Sequence, residues 1–280
     1  MGKITDALKK VADDRLQRIQ KSPDVQYVVK RAENTKFDEH IVSFHDPASP
    51  IGEQYKILRT NIQALKYKEG CKVFLVSSSI NGEGKTVTSI NLAISMAHDL
   101  NGKSVLLVDA DMRKGSVAKY LGLNKTPGLS DVLKGERTEE AVLVNPGIDN
   151  LTILLSGKAP KNPSELLNTK TMEKLIAGLK TKYDYIFIDT PPIMTLADAT
   201  ILAPMVDGVI LVIQAGRTQR DIVKNSETRL LQAHAKIAGY IMTNIEYHLP
   251  HYLYRYVHKY EAYGDYHADK SAQEKVEAGV

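Results

Sequence analysis

Eight residues, Ser79-Ile80-Asn81-Gly82-Glu83-Gly84-Lys85-Thr86, stand between an apolar strand-like run and a helical one, and their types suit the holding of nucleotide phosphates. They fit the pattern GxxxxGK[ST] with Ser79 in place of the first glycine. Gly82 and Gly84 let backbone N–H groups turn inward around phosphate oxygens, and the helix that follows adds its positive end. Lys85 is then placed to reach the β- and γ-phosphates, and the Thr86 hydroxyl to complete a Mg2+ shell. The candidate nucleotide-binding residues are Ser79, Asn81, Gly82, Glu83, Gly84, Lys85, Thr86 and Val87. Two further stretches supply carboxylates. In LLVDADMR, Asp109 and Asp111 are two residues apart, so on an extended chain both project to one side. Close carboxylates repel each other unless a cation intervenes, and a Mg2+–nucleotide complex is a natural neutraliser. Asp189, in IFIDTPP, is a third carboxylate of the kind that holds Mg2+ beside a P-loop. The implied metal set is Thr86, Asp109 and Asp189. Arg113 bridges phosphate, holds its loop or is a surface cation, and Asn244 is either an adenine contact or a turn residue.

A second concentration of chemistry lies downstream. Seven of the fourteen tyrosines, Tyr247, Tyr252, Tyr254, Tyr256, Tyr260, Tyr263 and Tyr266, fall within twenty residues. Such a cluster is either packing surface or a set of phosphate acceptors. Tyr252, Tyr256, Tyr260 and Tyr263 keep the spacing of a helical stripe, whereas Tyr247, Tyr254 and Tyr266 do not.

Rigid elements must position these groups. Apolar runs at 73–78, 104–110, 151–156, 185–190, 208–214 and 238–244 read as strands, and their lack of polar alternation indicates cover on both faces. Helical patterns from Thr86 to Leu100, Ser164 to Thr181 and Thr218 to Ala233 provide the crossovers, and another from about Gly52 to Lys66 leads into the core. The expected fold is a doubly wound α/β sandwich, a mostly parallel sheet in three layers of P-loop NTPase type, with ligands at the carboxyl ends of the strands. The predicted division is an amphipathic helix over 1–22, a polar linker over 23–50, a nucleotide-binding domain over 51–245 and a tyrosine-rich tail over 246–280.

Composition narrows the classes. At 280 residues the chain can bury a large core, and its 37 basic and 33 acidic residues are interspersed without a block that tracks a nucleic-acid backbone, so no nucleic acid is expected. One cysteine, Cys71, excludes an intrachain disulfide and a multi-cysteine metal site and reads as a small core residue. No run reaches the ~20 apolar residues of a spanning helix, and Asp6 stands where N-myristoylation needs Ser or Thr. A cytoplasmic protein is expected, reaching a membrane only through a partner.

Taken together, SINGEGKT, VLLVDADMR and YIFIDTPP resemble the Walker A, A' and B motifs of the bacterial tyrosine kinases, or BY-kinases. EQYKILRTNI (Glu53 to Ile62), LLSGKAPKNPSELL (Leu154 to Leu167) and the tyrosine tail resemble that family as well. The resemblance implies an ATP- and Mg2+-dependent autokinase of exopolysaccharide or capsule assembly. In it Lys85 and Asp109 serve the phosphates and metal, Asp111 is the base, and the seven tail tyrosines are acceptors. It implies self-association through the helix carrying Glu53, Lys56 and Arg59. The family often has Arg at the position of Lys56, and Lys lacks its planar fork. It also implies a separate transmembrane activator or polysaccharide co-polymerase, recruitment to the inner face of the membrane, and a phosphotyrosine phosphatase as a further partner. The alternative on this fold is an ATPase of the partition and division-site class, but Ile80 and Asn81 occupy the places of its signature lysine and first glycine.

Overall fold

Along a strand successive side chains point to opposite faces, so a run that is apolar throughout needs cover above and below. The computed structural model, which describes residues 29–32, 35–65 and 72–245, shows that cover. Strands β1 (Lys30–Arg31), β2 (Lys72–Ser78), β3 (Val105–Asp109), β4 (Leu143–Asn145), β5 (Leu151–Leu154), β6 (Tyr185–Asp189), β7 (Gly208–Gln214) and β8 (Ile237–Thr243) form one sheet. Its order is β1-β4-β5-β3-β6-β2-β7-β8, and every pairing is parallel except β4 with β5. The P-loop strand, β2, therefore lies inside the sheet between β6 and β7.

Nine helices among the described residues cover the faces: α1 (Val42–His45), α2 (Pro50–Ala64), α3 (Lys85–Ala97), α4 (Ser116–Leu121), α5 (Leu129–Leu133), α6 (Pro163–Leu167), α7 (Lys170–Leu179), α8 (Asp198–Leu202) and α9 (Arg220–Gln232). Val73 and Leu75 of β2 enter one core with Leu106, Ile186 and the apolar side of α7, while Phe74 and Val76 enter the other with Leu107, Phe187 and Ile90 of α3. The alternation along β2 thus separates two cores and makes three layers. Phe74 and Phe187 stack across neighbouring strands with centroids 5.9 Å apart.

The six strands expected from the sequence are present, each within two residues of its expected ends. Two others, β1 and β4, are too short to show a pattern. The helix expected from Ser164 to Thr181 is broken into α6 and α7, because Thr169 caps a new helix: its backbone is extended and its hydroxyl accepts from Met172 N. The helix expected from about Gly52 starts earlier, with Pro50 in its first turn and Ser49 Oγ accepting from Gly52 N at 3.1 Å.

Part of the stretch read as a linker is packed. Ile41 is fully buried, and Asn91 of α3 holds the segment: its Oδ1 accepts from Ser43 N at 2.8 Å and its Nδ2 donates to His40 O at 3.0 Å. Asn91→Leu would orphan the buried Ser43 amide, a cost of about 1–3 kcal/mol. Hydrogen exchange should then show faster exchange at residues 41–46 than in the wild type, and unchanged protection there would contradict the role. The expected N-terminal helix, the linker residues before 29, Cys71 and the tyrosine tail lie outside the described residues.

Candidate active site

Parallel pairing of β3 with β6 sets Asp109 directly opposite Asp189, both fully buried at the carboxyl ends of their strands. The next strand across, β2, runs into the P-loop, where Gly82 (φ +84°) and Gly84 (φ +87°) take the left-handed conformations that aim N–H groups inward. Lys85 Nζ lies 3.4 Å from Asp189 Oδ2, 3.6 Å from Asp111 Oδ2 and 3.0 Å from Thr86 Oγ1. The Thr86 hydroxyl donates to Asp189 Oδ2 at 2.8 Å, and the Ser89 hydroxyl is 3.2 Å from Asp189 Oδ1. The three motifs separated in sequence thus meet around one ammonium.

The two aspartates of the β3 end divide their work. Asp109 accepts backbone N–H groups from Asp111 and Val117, each at 3.2 Å, and so shapes the loop that follows it. Asp111 uses Oδ1 to accept from Lys114 N at 3.0 Å, which leaves Oδ2 turned toward Lys85.

Glu83, one of the candidate phosphate-loop residues, is buried and acts on the loop itself. Its Oε2 accepts from Ile80 N at 2.7 Å, and its Oε1 accepts from Gln214 N at 3.3 Å and from the Thr218 hydroxyl. The Thr243 hydroxyl donates to the Glu83 carbonyl at 2.8 Å, and Arg217 Nη1 donates to Gly82 O at 3.1 Å. Ser89, Arg217, Thr218 and Thr243 are not singled out by sequence; the available signal is the placement of AGRT and MTN at the ends of β7 and β8, beside the P-loop strand. Of the remaining candidates, Ser79 is buried with an unpartnered hydroxyl, Asn81 is at the exposed loop tip, and Val87 lies in the first turn of α3. Arg113 Nη2 donates to Ser164 Oγ at 2.9 Å, and Nε is 3.7 Å from the buried Asp198 Oδ2, so Arg113 ties its loop to α6 and α8. Asn244 follows β8 with φ +52° and lines a cleft of about 630 Å3 between α2 and β8. Within α2, Lys56 Nζ donates to Glu53 at 2.6 Å and Arg59 Nη1 donates to Ser95 O at 2.8 Å.

Burial drives the Asp109 carboxyl well above its usual range, and the neighbouring Asp189 adds to the push. Asp189 is raised in the same sense by burial, against the opposing pull of Lys85. Burial works against the Lys85 charge, but Asp189, Asp111 and Asp109 outweigh it and hold the ammonium above its ordinary value. A carboxyl raised in the folded state binds its proton more tightly there than in the unfolded chain. Stability is therefore lost as pH rises from the ordinary carboxylate range toward the raised value. Compared with Asp109→Asn, the nucleotide-free wild type should lose thermal stability progressively as pH is increased from about 4. Parallel melting series would show a widening gap, and a constant gap would contradict the shift.

A divalent cation suits this donor set. Among the described residues no three His, Cys, Asp or Glu side chains form a cage for a metal. Mg2+ needs none, since it is held by one or two carboxylates with substrate phosphates and water. Two facing carboxylates and a hydroxyl beside a glycine-turned loop meet that requirement.

Strand, P-loop, helix and the carboxylates across the sheet define a P-loop ATP-binding protein. Consistent with this, a family profile described as an AAA domain matches residues 71–238. The tyrosine-protein kinase YwqD of Bacillus subtilis is 35% identical over 214 residues, 76% of this chain and 90% of YwqD. The putative tyrosine-protein kinase EpsB of Ralstonia nicotianae is 32% identical over 87% of this chain, which spans only 32% of EpsB. Among solved structures, the kinase domain of Escherichia coli tyrosine kinase ETK superposes with a TM-score of 0.73 at 28% identity, covering 78% of this chain and 85% of that domain. The chain belongs to the bacterial tyrosine-protein kinase family.

Proposed function

We propose that this kinase transfers the γ-phosphate of ATP to tyrosines of its own C-terminal cluster, Tyr247 to Tyr266, in trans between copies, and that it regulates exopolysaccharide or capsule synthesis. The observation that carries the reading is the convergence of Lys85, Asp111 and Asp189 beside a P-loop, with a strand, β8, whose end touches that loop through Thr243 and leads into the tyrosine-rich segment. Lys85 would bind the β- and γ-phosphates, and Thr86, Asp109 and Asp189 would hold Mg2+ directly or through water. Bound there, the ion would offset charge on the phosphates. Asp111 Oδ2 would accept the acceptor tyrosine's proton, useful because a free tyrosine hydroxyl titrates near 10. Each phosphate adds about −1.5 to −2, so seven would add roughly −10 to −14 against a formal chain charge of +4. That reversal would drive apart a homo-oligomer, with Glu53, Lys56 and Arg59 on its contact helix. The remaining partners would be a membrane activator that brings the kinase to the inner face and a phosphatase that resets it. No helix among the described residues is long and apolar enough to cross a membrane.

The test is incubation of the full chain with γ-labelled ATP and Mg2+, with and without the cytoplasmic segment of a candidate membrane activator, followed by mapping of the label. Phosphotyrosine within 247–266 that vanishes when the seven tyrosines are changed to Phe is the expected result. Free phosphate with no phosphotyrosine in either condition would overturn it in favour of an ATPase.

A further inference from the structure

A second cleft, of about 670 Å3, opens beside the loop that follows β5. Its walls are of two kinds. Ala159, Pro160 and Leu166 supply apolar surface, while Lys134, Lys158 and Lys161 stand around it. Two carboxylates share the lining but are engaged: Glu136 is 3.9 Å from Lys134, and Glu165 accepts from Asn162 Nδ2 at 2.7 Å. Lys158 and Lys161 are exposed, and no carboxylate among the described residues lies within ion-pair distance of either. An apolar wall with uncompensated ammonium groups at its rim suits a ring that ends in a dianion.

We propose that this cleft holds a phosphotyrosine of the segment 247–266, so that the kinase carries a receptor for its own product. The inference rests on the reading of that segment as the acceptor. Two observations select this occupant. The first is charge: a newly made phosphotyrosine presents about −1.5 to −2 to the unpaired lysines. The second is reach. Five strand spacings separate β8 from β5, about 24 Å. An extended chain leaving residue 245 gains at most ~3.3–3.6 Å per residue, so Tyr247 falls short within its own subunit while Tyr254 and later tyrosines span the distance. The cleft is also joined to the active site, since the same loop leads to Ser164, which accepts from Arg113 of the Asp111 loop. A phosphorylated tail held there is removed from neighbouring active sites, and its remaining tyrosines stay close to its own.

The test uses the full chain with all seven tail tyrosines changed to Phe and kept saturated with Mg2+ and ADP. Fluorescent peptides spanning residues 251–265 are titrated in three forms: phosphotyrosine at 256, unphosphorylated, and phosphoserine at 256. The phosphotyrosine peptide should bind at least tenfold more tightly than either of the others. Lys158→Glu with Lys161→Glu, or the milder pair of alanine changes should the first fold poorly, should abolish that preference while leaving ADP affinity unchanged. Equal binding of the three peptides, or a preference that survives both lysine pairs, would overturn the proposal. Failure of the autokinase reading would appear separately, as absence of phosphotyrosine on the unmodified chain.

Discussion

Lys85→Met is expected to slow tyrosine phosphorylation by about 10³-fold and also to destabilise the protein in the absence of nucleotide. The catalytic loss follows from the place of the ammonium, 3.4 Å and 3.6 Å from two carboxylates and at the mouth of the P-loop. Removing one preorganised donor to transition-state charge costs about 10²–10³ in rate, and this one carries a full charge, so the upper end is expected. The stability loss follows from the same contacts. Asp189 is fully buried and Asp111 nearly so, and deleting one partner of a buried ion pair costs about 3–5 kcal/mol. For a chain of this size that is a fall of roughly 6–20 °C in melting temperature. Proton uptake by the abandoned carboxylates caps the cost, so the fall should be larger at pH 8 than at pH 6. Melting curves at the two pH values, run beside the labelling assay, check both parts. A variant as stable as wild type at pH 8 would show that the three carboxylates do not depend on Lys85 for neutralisation.

Asp111→Asn should separate chemistry from binding. Asparagine keeps an Oδ1 to accept from Lys114 N, so the loop retains its local hydrogen bond, while the group facing Lys85 becomes an amide NH2 that neither takes a proton nor pairs with the ammonium, which Asp189 still holds at 3.4 Å. General-base contributions are about 10²–10⁴, and a loss of that size in kcat is expected while the Kd for ATP changes by no more than a few-fold. Single-turnover transfer measured with independently determined nucleotide affinity tests this. A weakened Kd with unchanged transfer would assign Asp111 to nucleotide binding alone.

The parts of the site legible in the sequence are those fixed by short spacing. The P-loop announces itself within eight residues, and Asp109 and Asp111 share a side because strand periodicity puts residues two apart together. Asp189 is legible because an uninterrupted apolar run ends on it. What spacing does not carry is register between strands distant in sequence: Asp109 opposite Asp189 depends on β3 and β6 pairing in parallel, across some eighty residues of chain. The same limit hides Thr218 and Arg217, ordinary polar residues until β7 is laid beside β2. Among the elements, long apolar strands are readable because both faces must be covered. The break between α6 and α7 is missed because Leu166, Leu167, Met172 and Leu175 keep up an apolar pattern through it, and only the cap at Thr169 marks the interruption. The segment from 35 to 50 looks like a linker for the opposite reason. Its few apolar residues follow neither a strand nor a helix period among polar ones and prolines, and its polar anchorage comes from an asparagine on another helix.

The carboxylate of Glu83 joins the phosphate loop to the end of β7 through bonds made wholly within the protein. In kinetic terms such bonds, which need no nucleotide, would order that loop ahead of its encounter with ATP. Association should then be governed by diffusion and by stripping of water, with no slow loop-closing step, and the lifetime of the bound nucleotide should be set by the phosphate contacts. A kinase built in this way would exchange ADP for ATP without unmaking its own binding loop. The demanding event in each cycle then becomes the arrival and departure of the tyrosine.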